Sequence, residues 1–450
     1  MEFLRNYEDI NMSIVCSIHH LNEQLRKIIL QELHVEKISP KSKNPRMNYG
    51  NMQEKKEVIT YRINGKNDDE VYIPFYFART VLELSKPVRE DYHLHNISFV
   101  GELRPTQKEI RKDAIQQLNT TGSCLLALHV GFGKSVVAIE LACKIKLRTI
   151  IIAHRVVLVD QWVEYVKKYC SDNVSIGTYS SFDEEACDFM VVSALNILKI
   201  PPHILKTFGF VIVDECHLIS TEQFSKSLQY ITPKYLVGLS ATPYRSDGMD
   251  KIMDLYFGKE RIVRALMIEH TVYKIQTSFV PPVLQMRNGQ LDWGRIIESQ
   301  SNHVQRNEMI VQIIQMFPDR HFLVLCKRKE QGCYLLKRLL EVGQKATRLM
   351  GNDRTFDMNA RILIATINKA GVGFSYDILD TLILAADVEE YYIQYVGRIT
   401  RRPDVKPLIF DIIDDNPTLQ RHFATRKKVY KEIGGNLIDF RKAFPDFHVI

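Results

Sequence analysis

Cys124-Leu125-Leu126-Ala127-Leu128 is an uninterrupted apolar run, His129-Val130 leads into Gly131-Phe132-Gly133-Lys134-Ser135, and Val136 to Cys143 continues without a glycine. A short apolar run is the pattern of a buried strand, and the segment after the glycines reads as a helix. Strand, glycine turn and helix together make a P-loop. Backbone N–H groups of the turn and of the helix N-terminus point at an anion, so a triphosphate fits there without meeting side chains. In that reading Gly131 and Gly133 give the backbone its close approach, Lys134 reaches the β- and γ-phosphates, and Ser135 holds Mg²⁺. Leu128 stands where the pattern G-x-x-x-x-G-K-[ST] begins with glycine, which predicts an altered entry into the turn. A glycine-lysine-serine turn also fits a helix cap with a surface lysine, so the decision rests on whether the other parts of an ATPase occur in order along the chain.

Upstream, Leu103-Arg104-Pro105-Thr106-Gln107 precedes a helix expected over Lys108 to Leu118. A glutamine amide can bond the donor and the acceptor of an adenine edge, so Gln107 points to ATP over GTP; a solvated glutamine after a helix-starting proline is the plainer alternative. Downstream, Thr149-Ile150-Ile151-Ile152-Ala153 reads as a buried strand ending in His154-Arg155, basic residues on the rim where open α/β sheets bind ligands. Phe210-Val211-Ile212-Val213 is a further strand, ending in Asp214-Glu215-Cys216-His217. Asp214 there can hold Mg²⁺ and Glu215 can orient or deprotonate the attacking water. Two acids after an apolar run also describe a strand end entering solvent, but after a P-loop in one α/β unit the catalytic reading is preferred. Ile231 to Leu239 leads to Ser240-Ala241-Thr242-Pro243, whose hydroxyls at Ser240 and Thr242 can sense the nucleotide.

The glutamine, the P-loop, D-E-C-H and S-A-T, in this order, resemble the superfamily 2 helicases. The phrase Gly238-Leu239-Ser240-Ala241-Thr242-Pro243-Tyr244-Arg245-Ser246-Asp247-Gly248 is similar to the branch that holds the eukaryotic transcription-repair helicase, the T-even phage branch-migration helicase and the poxvirus and asfarvirus transcript-release helicase. The resemblance covers Phe99 to the C-terminus. It implies an α/β fold of two tandem RecA-like domains, each a parallel sheet flanked by helices. Relatives usually carry a small residue at the position of Leu128, and many carry aspartate at that of Ser375.

The sequence supplies a second lobe. Ala265 to Trp293, with two expected strands and the Pro281-Pro282 turn, reads as the crossover; Asn307 to Phe317 is helix-like. His321 to Cys326 is a strand ending in Lys327-Arg328, and Arg361 to Thr366 is another, followed by Gly371-Val372-Gly373-Phe374-Ser375. By resemblance, Thr366 touches a nucleic-acid phosphate. Tyr391 to Arg402 is expected as a helix that puts Gln394, Gly397, Arg398 and Arg401 on one face. The arginines are then fingers on the γ-phosphate when the lobes close. His154, Arg155, Lys327, Arg328 and Thr366 form a candidate groove for backbone phosphate, read without regard to base sequence. Arg421 to Lys431 is a basic helix, either an extra contact or a surface.

The expected domains are 1–95, a small N-terminal α+β accessory domain; 96–264, the ATP-binding RecA-like domain; and 265–450, the C-terminal RecA-like domain. In the first, Ile18 to Leu33 reads as a helix, and Val58 to Ile63 with Val71 to Ile73 as a hairpin. His19-His20 has no neighbour at metal spacing. The accessory domain is expected to be docked rather than tethered; the resemblance implies that it grips duplex or forked DNA, and since every catalytic residue lies downstream it is expected to be dispensable for ATP turnover. With 450 residues, two or three domains are expected. A net charge of +7 permits nucleic-acid binding without requiring it. No apolar run reaches the ~18 residues of a membrane span, and the start of the chain lacks a signal-peptide pattern. The eight scattered cysteines read as free thiols. These readings fit an intracellular protein, and the resemblance implies an ATP- and Mg²⁺-dependent DNA helicase or translocase, virus-encoded and acting in transcription, in the host cytoplasm, its viral factories or the virion. Its partners are then DNA, duplex, forked or single-stranded, with RNA as the alternative, and an RNA polymerase or its transcription factors. An RNA helicase, a branch-migration enzyme, or a nucleic-acid-binding scaffold with a decayed ATPase are the other readings.

Overall fold

The computed structural model describes residues 13–17, 22–36, 57–63, 70–82, 92–181, 187–205, 207–219, 233–241, 250–283, 292–353, 355–371, 376–388, 392–402 and 404–450. Thr242, Ser375, His19 and His20 lie outside them. The chain divides into two compact units, Met1–Leu128 with Phe132–Arg264, and Ala265–Ile450 with His129–Gly131.

The first unit opens with β1 (Ser13–Ser17), helix α1 (Glu23–Glu32), β2 (His34–Glu36), β3 (Glu57–Ile59), β4 (Arg62–Ile63), β5 (Glu70–Pro74) and α2 (Phe75–Thr80). The expected hairpin is only partly formed. Arg62 and Ile63 pair with Tyr72 and Val71, but Glu57–Ile59 pairs instead with His34–Glu36. Thr60, fully buried between the two halves, turns the chain, its N–H and hydroxyl both donating to Leu33 O. These elements are packed onto the rest of the unit. Ile29, Val71, Ile73, Phe75 and Phe77 share one apolar cluster with Leu125, Val213, Leu236, Met253 and Phe257. The N-terminal segment is therefore docked, covering apolar surface of the first large sheet. A cut before Asn96 would remove Phe75 and Phe77 and leave their cluster partners Met253 and Phe257 open to water, at ~1.5–3 kcal/mol per large apolar side chain.

That sheet comprises β6 (Ser123–Leu128), β7 (Thr149–Ala153), β8 (Ile176–Thr178), β9 (Phe189–Ser193), β10 (Phe210–Val213), β11 (Tyr235–Ser240) and β12 (Arg261–Arg264). Its order is β12-β6-β11-β10-β7-β9-β8 and all its pairs are parallel. Helices cover both faces, so the central strands bury every side chain and read as continuous apolar runs. The neighbours β6, β11, β10 and β7 bring the P-loop, Ser240, Asp214 and His154 to adjacent positions on one carboxyl rim.

The second unit repeats the plan with β13 (His270–Gln276), β14 (Phe322–Cys326), β15 (Ala346–Leu349), β16 (Ile362–Thr366), β17 (Thr381–Leu384), β18 (Leu408–Ile413) and β19 (Gly435–Asp439). Its order is β15-β16-β14-β17-β18-β13-β19, again with parallel pairs. Two parallel seven-stranded sheets flanked by helices are tandem RecA-like domains. Of the stretch read as a crossover, the described residues hold β13, which lies inside the sheet between β18 and β19 rather than between the lobes; residues 284–291 lie outside the described residues. The basic helix forms, spanning Pro417–Glu432, but it is not all surface: Arg426 and Tyr430 point inward. Arg426 makes a two-pronged bond to Asp411 (2.8 and 2.9 Å) and a third to Asp387 (2.8 Å), while Tyr430 donates to Asp411.

Candidate functional site

In the first unit the P-loop comes directly after β6, as the sequence predicts. Gly131 and Gly133 take φ of +82° and +91°, the left-handed region that side chains disfavour, and Gly133 caps helix α4 (Lys134–Ile145). Leu128 does not obstruct this turn. Its side chain is fully buried as the last residue of β6, and its carbonyl accepts the Lys134 ammonium at 3.2 Å. Ser135 is half-buried in the first turn of α4. Gln107 sits in helix α3 (Pro105–Thr121) with both amide ends committed. Its Oε1 accepts from Arg104 N at 2.9 Å, and its Nε2 donates to Phe132 O at 2.9 Å. Arg104 donates to the same Phe132 carbonyl. In this conformation Gln107 therefore fastens the P-loop to the preceding helix.

The D-E-C-H segment lies two strands away along the rim. Asp214 accepts from Trp162 Nε1 at 2.9 Å and from Glu215 N at 3.0 Å. Burial first, and the charge of Glu215 next, push its carboxyl up to about 6, against the Trp162 hydrogen bond and the Lys134 charge. Such a carboxylate gains from a hard divalent cation, which offsets the cost of its buried charge, so the donor set fits Mg²⁺. Glu215 has φ +46°, unusual for a residue with a side chain. Its Oε2 is buried without a hydrogen-bond partner, 3.3 Å from His217 Nδ1. His217, 1% exposed, also meets Ser240 Oγ at 2.9 Å, joining the D-E-C-H and S-A-T segments across neighbouring strands. His154 comes just after β7; burial, Arg155 and His217 lower its imidazole pKa to about 4, so it is neutral at pH 7. Arg155 is exposed at the N-terminus of helix α5 (Val156–Tyr169).

Sequence reasoning missed Trp162. On an amphipathic helix a tryptophan reads as core, and at 2% exposure it is core, yet its N–H faces the carboxylate at the strand end. Trp162→Phe keeps the ring and removes the donor. Changing a residue that holds a metal-ligating carboxylate typically costs ~10- to 100-fold in metal affinity or activity. The Mg²⁺ concentration for half-maximal ATP turnover is expected to rise by about that factor. An unchanged Mg²⁺ dependence would leave Trp162 a packing residue.

In the second unit, Thr366 ends β16, and Lys327 and Arg328 come after β14 on the same carboxyl rim. The expected arginine helix is corrected. It covers only Tyr392–Val396, and tighter bonds succeed it, from Arg398 N to Tyr395 O and from Ile399 N to Val396 O, each at 3.0 Å. Gly397, the β-branched Ile399 and Thr400, and the proline at 403 all disfavour a continued helix. Gln394 is thus helical and half-buried, Arg398 is only 8% exposed, and Arg401 pairs with Asp377. Among the described residues no group of His, Cys, Asp and Glu forms a metal cluster, and no helix is long and apolar enough to cross a membrane.

Residues 101–245 match the family described as Type III restriction enzyme, res subunit. The chain is 42% identical to "Putative helicase 161L" of Invertebrate iridescent virus 6, over 86% of this chain and 95% of that protein. It is 29% identical to "Putative helicase 055L" of Frog virus 3, over 81% of this chain and 85% of that protein. Among solved structures, S. cerevisiae Dbp5 bound to RNA and ADP BeF3 superimposes with a TM-score of 0.54 at 13% identity, covering 75% of this chain and 91% of that one, a likeness of fold. With nearly the whole of an iridovirus helicase matched, the chain belongs to the superfamily 2 helicases of viral type, a family of ATP-dependent enzymes.

Proposed function

We propose that this helicase couples ATP hydrolysis to unwinding of, or translocation on, DNA, and that it serves viral transcription in the host cytoplasm, its viral factories or the virion. Residues 96–264 are the ATP-binding domain in this reading, residues 265–450 the C-terminal helicase domain, and residues 1–95 an accessory region docked on the first.

The observation that carries it is Glu215: a buried carboxylate oxygen accepting no hydrogen bond, beside Asp214, on the rim that also presents Lys134. Gly131, Gly133 and Lys134 bind the phosphates, and Gln107 holds the P-loop in its binding shape. Ser135 and Asp214 hold Mg²⁺, which when bound neutralises phosphate charge. Glu215 takes the proton of the attacking water. Its pairing with His217, and His217 with Ser240, gives a route by which occupancy of the P-loop side reaches the neighbouring strand; Thr242 belongs to the same coupling segment. Gln394, Arg398 and Arg401 complete the catalytic set. His154, Arg155, Lys327, Arg328 and Thr366 contact nucleic-acid backbone.

ATP turnover measured in parallel with single-stranded DNA, duplex DNA and RNA tests this. Stimulation by DNA above that by RNA is expected, falling steeply with salt because the contacts are to phosphate. Stimulation by RNA alone would replace the DNA reading with an RNA helicase. Nucleic-acid binding with no turnover on any substrate would leave a scaffold with a decayed ATPase.

A further inference from the structure

We propose that Trp293 is a stacking platform for one base of a single-stranded nucleic acid, flanked by Lys327 and Arg328 for the adjoining phosphates. This rests on the nucleic-acid-binding reading above and adds to it a residue that acts on bases.

Trp293 is half-buried and opens a helix, Trp293–Asn302, capped by Asp292. Its ring meets a histidine and a lysine. The indole meets the His422 ring edge-on, with centroids 5.5 Å apart and planes at 64°. His422 is pinned in turn: its Nδ1 lies 2.6 Å from Asp387 Oδ2, and Asp387 Oδ1 accepts from Arg426 Nη1 at 2.8 Å, with both side chains of that second pair 2% exposed. Burial alone would raise the Asp387 carboxyl pKa, but the His422 hydrogen bond and the Arg426 charge outweigh it and hold it below the usual range. The platform is thus seated on a buried ionic chain that reaches β18 through Asp411. A ring fixed this way loses little freedom when a ligand arrives, which favours binding.

The cations complete the site. Lys327 Nζ lies 5.7 Å from the Trp293 ring centroid, and Lys327 is the residue directly after the last of β14. Arg328 is exposed beside it, and a Cβ at Gly294 would come within 3.9 Å of Arg328 Nη2. An aromatic face among cations, at the carboxyl rim of a parallel sheet, matches what a single strand offers: bases to stack and phosphates to pair. Lysine is a flexible point charge, so its ammonium passes from the ring to a phosphate while a base takes the indole face. Stacking is indifferent to base identity, which suits an enzyme that tracks along a strand.

The test uses the full chain, an oligothymidylate, and an abasic strand of equal length that keeps the phosphates and lacks the bases. Trp293→Ala is expected to weaken binding of the oligothymidylate by about 5- to 150-fold, the range for one stacked base, and to leave abasic binding unchanged. The slope of log affinity against log salt should be unaltered, whereas Lys327→Ala should lower it by about 0.7. Trp293→Phe should retain most of the affinity, which separates stacking from a folding defect. Equal affinity of Trp293→Ala and wild type for the oligothymidylate would overturn the platform while leaving the helicase reading intact. So would an equal loss on both strands. Wild-type protein that binds neither strand would overturn both.

Discussion

Glu215→Gln is expected to bind ATP with near wild-type affinity and to hydrolyse it ~10²- to 10⁴-fold more slowly, the range that one positioned general base contributes. The substitution keeps size and hydrogen bonding but removes the charge and the capacity to accept a proton. Its setting favours a clean result. The Glu215 backbone already holds a positive φ of 46°, so the side chain is aimed by the main chain rather than by neighbours the substitution would disturb. Residues kept in that region cost of order 1–3 kcal/mol and persist where surrounding structure demands them. Here the demand comes from Asp214, whose carboxylate accepts the Glu215 N–H at 3.0 Å. Lys134→Ala makes the contrast. It removes the ammonium from the P-loop mouth, so it should weaken ATP binding itself. Nucleotide affinity measured beside single-turnover hydrolysis separates the two, and wild-type turnover in Glu215→Gln would remove Glu215 from the chemistry.

Much of this arrangement was legible in the residues because parallel strands covered on both faces leave a blunt signature. β6, β7, β10, β14 and β16 are runs of four to six residues, nearly all buried, each broken by a polar residue at the carboxyl end. The break is where the chain reaches the ligand-facing rim, so motif and strand end coincide. What stayed hidden depended on contacts distant in sequence. The His217–Ser240 hydrogen bond exists because β10 and β11 are neighbours in the sheet, an order the sequence does not state. Val71 and Ile73 look like an isolated hairpin strand until their faces are seen to share a core with β6 and β11. β13 alternates polar and apolar residues like an edge strand, and it becomes interior only because β19, some 160 residues later, pairs on its far side. Arg426 counts as surface charge by composition. Two buried aspartates, on β18 and just beyond β17, turn it into an internal ion pair.

Arg398→Ala is expected to lower ATP turnover by ~10³-fold or more, the contribution of an arginine that stabilises transition-state charge in phosphoryl transfer. Arg398 is largely buried, at 8% exposure. The short helix Tyr392–Val396 ends just before it, and Tyr395 hydroxyl anchors that helix by donating to Ile367 O at 3.1 Å, adjacent to Thr366. Arg398 therefore follows a short helix that is tied to the residue after Thr366. Arg401 differs in setting, being paired with the largely exposed Asp377 carboxylate, yet its loss is expected to be similarly severe, because a surface pair of that kind contributes little stability and breaks readily. Arg398→Lys separates charge from shape: it keeps the positive charge and loses the planar fork, so recovery of less than a tenth of the activity would assign the effect to paired hydrogen bonds on phosphate oxygens. ATP affinity and oligonucleotide affinity should both stay near wild type in Arg398→Ala, with the thermal midpoint measured to confirm an intact fold. Full turnover in Arg398→Ala and Arg401→Ala would exclude both from the reaction and leave them as structural charges of the second unit.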